Sequence, residues 1–207
     1  MNGKHNLILI GGPAACGKST LINMMLNQGG VFYYRRNNAF FDCAQEKGIP
    51  RDAAYQAITS EQADHRFVAE CLKFNTIISD VHYGVQLHRD RNFSLGQVVG
   101  LTDESYVPTI SSHLLEICRK KNISVTAILL RADVAILWER AVCREKLEGK
   151  PLRATSLYDI QAELQAECFY WEQIKKNPHI KSLCFDTSHI EPDQILKQLS
   201  NFYKGDI

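Results

Sequence analysis

No stretch of this chain approaches the ~20 consecutive apolar residues that a membrane-spanning helix needs. The polar start, Met1-Asn2-Gly3-Lys4-His5-Asn6, also lacks the basic-then-apolar order of a secretory leader. A cytoplasmic protein is expected. An excess of charge of either sign is missing too: 24 Lys and Arg face 23 Asp and Glu, leaving +1. Without a broad basic field, neither a membrane surface nor nucleic acid is supported as a partner. Proline is scarce, at 6, and glycine stands at 12, which sets aside collagen-like and low-complexity classes. The seven cysteines, Cys16, Cys43, Cys71, Cys118, Cys143, Cys168 and Cys184, are odd in number and form no C-x-x-C pair. That pattern excludes a disulfide framework and gives no zinc spacing, so the thiols are read as reduced.

What is present begins with an apolar run, Leu7-Ile8-Leu9-Ile10, followed by Gly11-Gly12-Pro13-Ala14-Ala15-Cys16-Gly17-Lys18-Ser19-Thr20 and a helix-like segment from Leu21 to Leu26. Residues 12–19 fit GxxxxGK[ST], the phosphate-binding loop (Walker A), in the strand–loop–helix setting it requires. Gly12 and Gly17 let the backbone turn and approach phosphate oxygens that a side chain would obstruct. Successive amides then face an anion, and the N-terminus of the following helix adds partial positive charge. In this arrangement Lys18 reaches the β- and γ-phosphates and the Ser19 hydroxyl is a ligand of Mg²⁺. Cys16 lies inside the loop, where the amide dipoles and Lys18 favour thiolate and redox sensitivity. The alternative is a small side chain facing away while its amide binds.

The length of 207 residues suits one α/β domain with a small insertion, and 45% apolar with 23% charged residues is an ordinary globular balance. Strands are expected at 31–34, 75–80, 123–130 and 182–185 besides the first, alternating with helices, which predicts a parallel sheet covered on both faces. Gly29-Gly30 stops the first helix, Ser60 is read as a cap for the helix around residues 61–68, and a helix is expected from about Pro108. From Phe40 to Glu70 the pattern is helical and reads as a flap on the substrate side. Asp80, at a strand end, and His82 after it fall where open α/β sheets bind ligands. Arg35 after the second strand suits an anion. Residues 84–107, with Arg89 and Arg91, have few periodic apolar positions and read as a long functional loop.

Between Arg140 and Arg153 basic residues are dense, with Arg144, Lys146 and Lys150 among them, and Gly149 and Pro151 break the segment into a loop. A basic lid at 144–155 would supply positive charge around a transferred phosphoryl group and exclude water. Arg144, Lys150 and Arg153 are the candidate catalytic cations beside Lys18.

The phosphate loop, the stretch Phe41-Asp42-Cys43-Ala44-Gln45-Glu46-Lys47-Gly48-Ile49 with Arg51-Asp52, the strand-end Asp80-Val81-His82, and Arg153 before a long helix together resemble the archaeal-type adenylate kinases. The resemblance implies a five-stranded parallel sheet of order 2-3-1-4-5 with helices on both faces, Mg-ATP as donor and a small phosphorylated acceptor. It implies that the acceptor lies between a helical flap, about residues 34–72, and the loop after the third strand, with Arg51 of the Arg-Asp pair beside it. Arg35, His82 and Arg89 are added as candidate acceptor contacts from their own positions after strand ends and in the long loop. It also implies that Asp186-Thr187-Ser188-His189 passes along the adenine, with Thr187 in contact. Two features depart from the family pattern. Arg51-Asp52 leads to Ala53-Ala54-Tyr55-Gln56, where the family has a further arginine, and Lys150 with Arg153 replaces its closely spaced arginine pair. A hydroxylated acceptor, a metabolite or a nucleic-acid end with Asp80 as base, is therefore a second reading. A nucleotide-driven ATPase or switch acting through a partner is a third.

Overall fold

A computed structural model describes residues 5–86, 106–149 and 156–204. Its central strand is β1, His5–Gly11. Leu7 and Leu9 point to one layer of helices and Ile8 and Ile10 to the other, all buried. A strand apolar on both faces belongs in the middle of a parallel sheet. Its parallel neighbours are β3, Thr76–Asp80, and β6, Ile123–Arg131. Outside these lie β2, Phe32–Tyr33, beside β3, and β7, Ile180–Asp186, beside β6. The sheet thus runs β2-β3-β1-β6-β7, the expected order.

Three helices, α1 (Lys18–Gln28), α6 (Val134–Glu148) and α8 (Pro192–Lys204), cover the face of Ile8 and Ile10 through Leu21, Ile22, Leu137, Ile195 and Leu199. On the face of Leu7 and Leu9 lie α4 (Ser60–Cys71), α5 (Ser112–Lys120) and the C-terminal half of α7 (Leu157–Lys175), through Phe67, Leu114 and Trp171. Each such side chain, fully buried, contributes about 1.5–3 kcal/mol.

The 34–72 region is helical, as expected. It holds α2 (Arg36–Glu46), a short 3₁₀ turn (Arg51–Ala53), α3 (Ala54–Ala57) and α4. Asp64 anchors it. This wholly buried carboxylate accepts from Arg36 Nε and Nη2 at 2.8 and 2.6 Å and from the Ser111 hydroxyl at 2.7 Å.

Two element starts differ from expectation. The cap of α4 is Thr59, not Ser60: its hydroxyl accepts from the Gln62 amide at 3.2 Å and Gln62 Oε1 accepts from the Thr59 amide at 3.1 Å. This reciprocal box needs Gln three residues on, which only Thr59 has. Instead of opening a helix, Pro108 ends β5 (Tyr106–Pro108), which pairs antiparallel with β4 (Gly84–Gln86). Ser111 caps α5 by accepting from the Leu114 amide at 3.0 Å. The 84–107 segment thus begins and ends in a two-stranded ladder; Arg89 and Arg91 lie outside the described residues. So do Lys150 and Arg153, while Arg144 lies in α6, which ends at Gly149 in the left-handed conformation.

Candidate active site

The site forms where β1 passes into α1. Gly12 (φ +138) brings the backbone so close to β6 that a Cβ there would press on the Leu130 carbonyl oxygen and stand 2.8 Å from Cys16 Sγ. Gly17 (φ +96) makes the left-handed step into α1, a conformation that side chains other than glycine's disfavour. Ser19 and Thr20 are exposed in the first turn of α1. Lys18 folds over the loop: its ammonium donates to the Gly12 carbonyl and, at 2.8 Å, to the Pro13 carbonyl. Of the two readings of Cys16, the structure fits the small side chain turned away from the anion site. Burial pushes this thiol up, outweighing Lys18, and the side chain turns inward at 1% exposure.

On the α6–α8 side of the loop a cleft of about 290 Å³ opens, lined among others by Gly17, Thr20, Arg140, Thr187 and Ser188. The Thr187 hydroxyl lies 3.2 Å from the Cys16 carbonyl and 3.1 Å from that of Arg131. Arg140 donates to the Thr187 hydroxyl at 3.0 Å and to its carbonyl at 2.7 Å. A guanidinium so fixed presents a planar cationic face to the cleft. A larger cleft, about 410 Å³, lies between α5 and the amino ends of β6 and β7. Ligands of such sheets bind at the carboxyl ends, and this cleft contains none of the motif residues.

On the other side of the loop stand Asp80, His82 and two carboxylates of α7. Asp80 pairs in register with Ile10 of β1. It is not the free carboxylate expected of a base. Tyr33 donates to Oδ1 at 2.7 Å, and Arg35 donates to Oδ1 at 2.7 Å and to Oδ2 at 2.6 Å. Burial alone would raise its pKa, but these bonds hold it below the ordinary carboxylate value. Burial and the neighbouring carboxylate push the Tyr33 hydroxyl up to about 12, so it stays a donor. Arg35, expected to contact an acceptor, is thereby committed to Asp80. Arg51 lies over the Phe41 ring at 4.1 Å.

His82 is held from behind. Its Nδ1 is 2.7 Å from Glu167 Oε1, while Glu167 Oε2 accepts from the Tyr83 amide at 2.7 Å; Glu167 is wholly buried. One turn earlier, Glu163 Oε1 accepts from the Ala14 amide of the phosphate loop at 3.1 Å and lies 3.7 Å from His82 Nδ1. Burial raises the Glu163 pKa, opposed by His82 and Lys18. The ligand atoms of His82, Glu163 and Glu167 lie within 4.8 Å of one another, a set of the kind that can hold a cation. Sequence reading missed Glu163, Glu167, Tyr33 and the role of Arg140. The signal for the first two was their spacing of four on a long helix, and for Tyr33 its position two before Arg35 on an extended segment.

No protein family profile and no curated protein matches this sequence. Solved structures do resemble it. The tunicamycin resistance protein of Deinococcus radiodurans is 13% identical over 97% of this chain and 96% of its own, with a TM-score of 0.55. A deoxyadenosine kinase of M. mycoides with bound dATP is 14% identical over 95% and 98%, with a TM-score of 0.53. A chain of the Pnkp1/Rnl/Hen1 RNA repair complex is 11% identical over 84% of this chain and 47% of its own, with a TM-score of 0.51. At these identities the likeness is one of fold: the chain has the α/β fold of the P-loop NTPases.

Proposed function

We propose that this protein is an ATP-dependent phosphotransferase that moves the γ-phosphoryl group of Mg-ATP to a hydroxyl of a small organic acceptor. The observation that carries the reading is the position of the phosphate loop, between a base-sized cleft on one side and a histidine–carboxylate cluster on the other. A nucleotide with its base beside Arg140 and Thr187 would run its phosphates past Thr20, Ser19 and Lys18 toward Ala14. Its terminal phosphate would then face Asp80, His82 and Glu163. The loop fits this ligand: Gly12 gives the close approach, and the exposed Ser19 hydroxyl is a hard oxygen donor of the kind Mg²⁺ takes. Mg²⁺ bound there would neutralise phosphate charge; Lys18, with Arg144, Lys150 and Arg153 from the 144–155 segment, would add to it.

The adenylate-kinase resemblance points instead to a phosphorylated acceptor. That substrate needs free guanidinium groups, since bidentate arginines are the usual clamp for phosphate. Among the described residues Arg35, Arg36 and Arg66 are already paired, with Asp80, with Asp64, and with Glu46 and Glu70, which leaves Arg51, over the Phe41 ring, as the flap's remaining guanidinium. The surroundings of the terminal phosphate supply carboxylates, which suit a neutral alcohol and repel a second phosphate. The likeness to a nucleoside kinase agrees in kind.

The test is phosphoryl transfer from Mg-ATP to nucleosides, hexoses and 5′-hydroxyl oligonucleotides, beside AMP and CMP, with Lys18→Ala as control. Transfer to a hydroxyl compound, lost in Lys18→Ala, is expected. Transfer to the monophosphates alone would restore the phosphorylated acceptor. ATP turnover without any organic acceptor, stimulated by a protein partner, would favour the switch.

A further inference from the structure

Glu163 and Glu167 project from one side of α7, yet their situations differ. Glu167 has both oxygens engaged, by His82 and by the Tyr83 amide, and is sealed from solvent. It is a fixed support. Glu163 retains 19% side-chain exposure, and its Oε1 rests on the Ala14 amide. That amide belongs to the loop whose N–H groups cradle phosphate, so a carboxylate now stands where a phosphate oxygen would accept.

We propose that Glu163 is the general base of the transfer. It takes the proton of the acceptor hydroxyl while that oxygen bonds to the γ-phosphorus and the bond from phosphorus to the β,γ-bridging oxygen breaks, leaving ADP. This rests on the hydroxylated acceptor argued above. One amide hydrogen cannot serve two anions well, so a bound triphosphate displaces the carboxylate from Ala14. A side-chain rotation then leaves Glu163 beside the terminal phosphate, on the side away from the base cleft, where an in-line acceptor must arrive.

The chemistry of the neighbours agrees with that role. A base works best when its pKa is near the operating pH. Glu163 is raised by burial and by Glu167, and lowered by His82 of the segment after β3, by Lys18 of α1 and by the Ala14 amide. The Cys16 thiol of the loop lies near enough to feel its charge. Asp80 is moved the opposite way, and the Arg35 fork and Tyr33 use both its oxygens.

The experiment compares wild type with Glu163→Gln and Glu163→Asp on a hydroxyl acceptor identified in the panel above, recording kcat against pH, binding of Mg-AMP-PNP, and thermal melting. For Glu163→Gln the expected kcat is lower by about 10²–10⁴-fold, with the acid limb of the pH profile gone. AMP-PNP should bind as tightly as to wild type or tighter, since a competing anion is removed. Glu163→Asp should recover part of the rate and the acid limb. A merely structural role would move melting and nucleotide binding and leave the limb in place. Wild-type kcat with an intact limb in Glu163→Gln overturns the proposal and leaves the hydroxyl-acceptor reading standing. Loss of the limb in Asp80→Asn, with the limb retained in Glu163→Gln, assigns the base to Asp80 and also overturns it. No transfer to any hydroxyl compound, with transfer to AMP or CMP, overturns both.

Discussion

The guanidinium of Arg35 forks onto both oxygens of Asp80, Nε to Oδ1 at 2.7 Å and Nη2 to Oδ2 at 2.6 Å. The pair joins the end of β2 to the end of β3 beside the phosphate loop. The Asp80 pKa is lowered from its ordinary 3.8, so its contribution to stability is full above that value and is lost as pH falls through the lower, folded one. Asp80→Asn should therefore lose less melting temperature than wild type on acidification below about pH 4. Arg35 is 53% exposed, and solvent screening keeps the effect small. Melting curves from about pH 3 to pH 7 check this; parallel profiles for the two proteins would mean the fork adds nothing.

Asp64 is the stronger anchor because it is fully buried against an Arg36 side chain that is only 12% exposed. Removing one member of such a pair leaves the other uncompensated, at a cost of about 3–5 kcal/mol. Asp64→Ala is expected to lower the urea midpoint by a corresponding amount or to prevent folding. Ser111→Ala, which removes one hydrogen bond to the same carboxylate and the cap of α5, should cost about 2 kcal/mol. If Ser111→Ala and Asp64→Ala were equally mild, Asp64 would not be holding α4 to α2 and α5.

The strands and helices were legible because each strand carries an apolar run and each following helix an apolar stripe, as in Leu7–Ile10 and in Leu114, Ile117 and Cys118, whereas the order of the strands followed only from the resemblance to the adenylate kinases. The phosphate loop was legible because its spacing is local. Most of the remaining site was not, because its partners are distant in the chain: Ala14 meets Glu163 across 149 positions and His82 meets Glu167 across 85. A carboxylate beside an apolar stripe looks the same in sequence whether it faces solvent or a loop amide. Asp80 shows the converse. Its strand-end position was readable, but its capture by Arg35 was not, since both residues alone suited a substrate.

Cys16 should be inert in the native protein. It is 1% exposed and burial raises its thiol, whereas Cys143 and Cys184 are exposed. Brief iodoacetamide treatment followed by peptide mass spectrometry is expected to label Cys143 and Cys184 and to spare Cys16 until denaturant is added. Labelling of native Cys16 at the rate of Cys143 would return it to the role of a reactive thiol.

Gly12→Ala tests the loop itself. The added methyl would meet the Leu130 carbonyl and Cys16 Sγ, with the backbone at φ +138, so the loop must shift off β6. Loss of nucleotide binding is expected together with a fall in stability of about 1–3 kcal/mol. Isothermal titration with Mg-AMP-PNP and urea denaturation measure the two. Retention of both at wild-type values would show that the loop can move aside without consequence.

Arg140 and Thr187 bear on which nucleotide the cleft takes. Thr187 lies within hydrogen-bond reach of the Cys16 carbonyl and holds both Arg140 amino groups at 3.0 and 2.7 Å. Truncating Arg140 removes a planar cation beside the cleft and leaves Lys18, Ser19 and Glu163 untouched. Its loss is therefore one of nucleotide binding shared by ground and transition states, which raises KM for ATP with little change in kcat. Thr187→Val should act in the same direction more weakly, because the Thr187 carbonyl still accepts from Arg140. Steady-state kinetics with ATP as the varied substrate separate the cases. A fall in kcat with unchanged KM in Arg140→Ala would mean that the guanidinium works on the phosphates, and the base would then have to lie elsewhere.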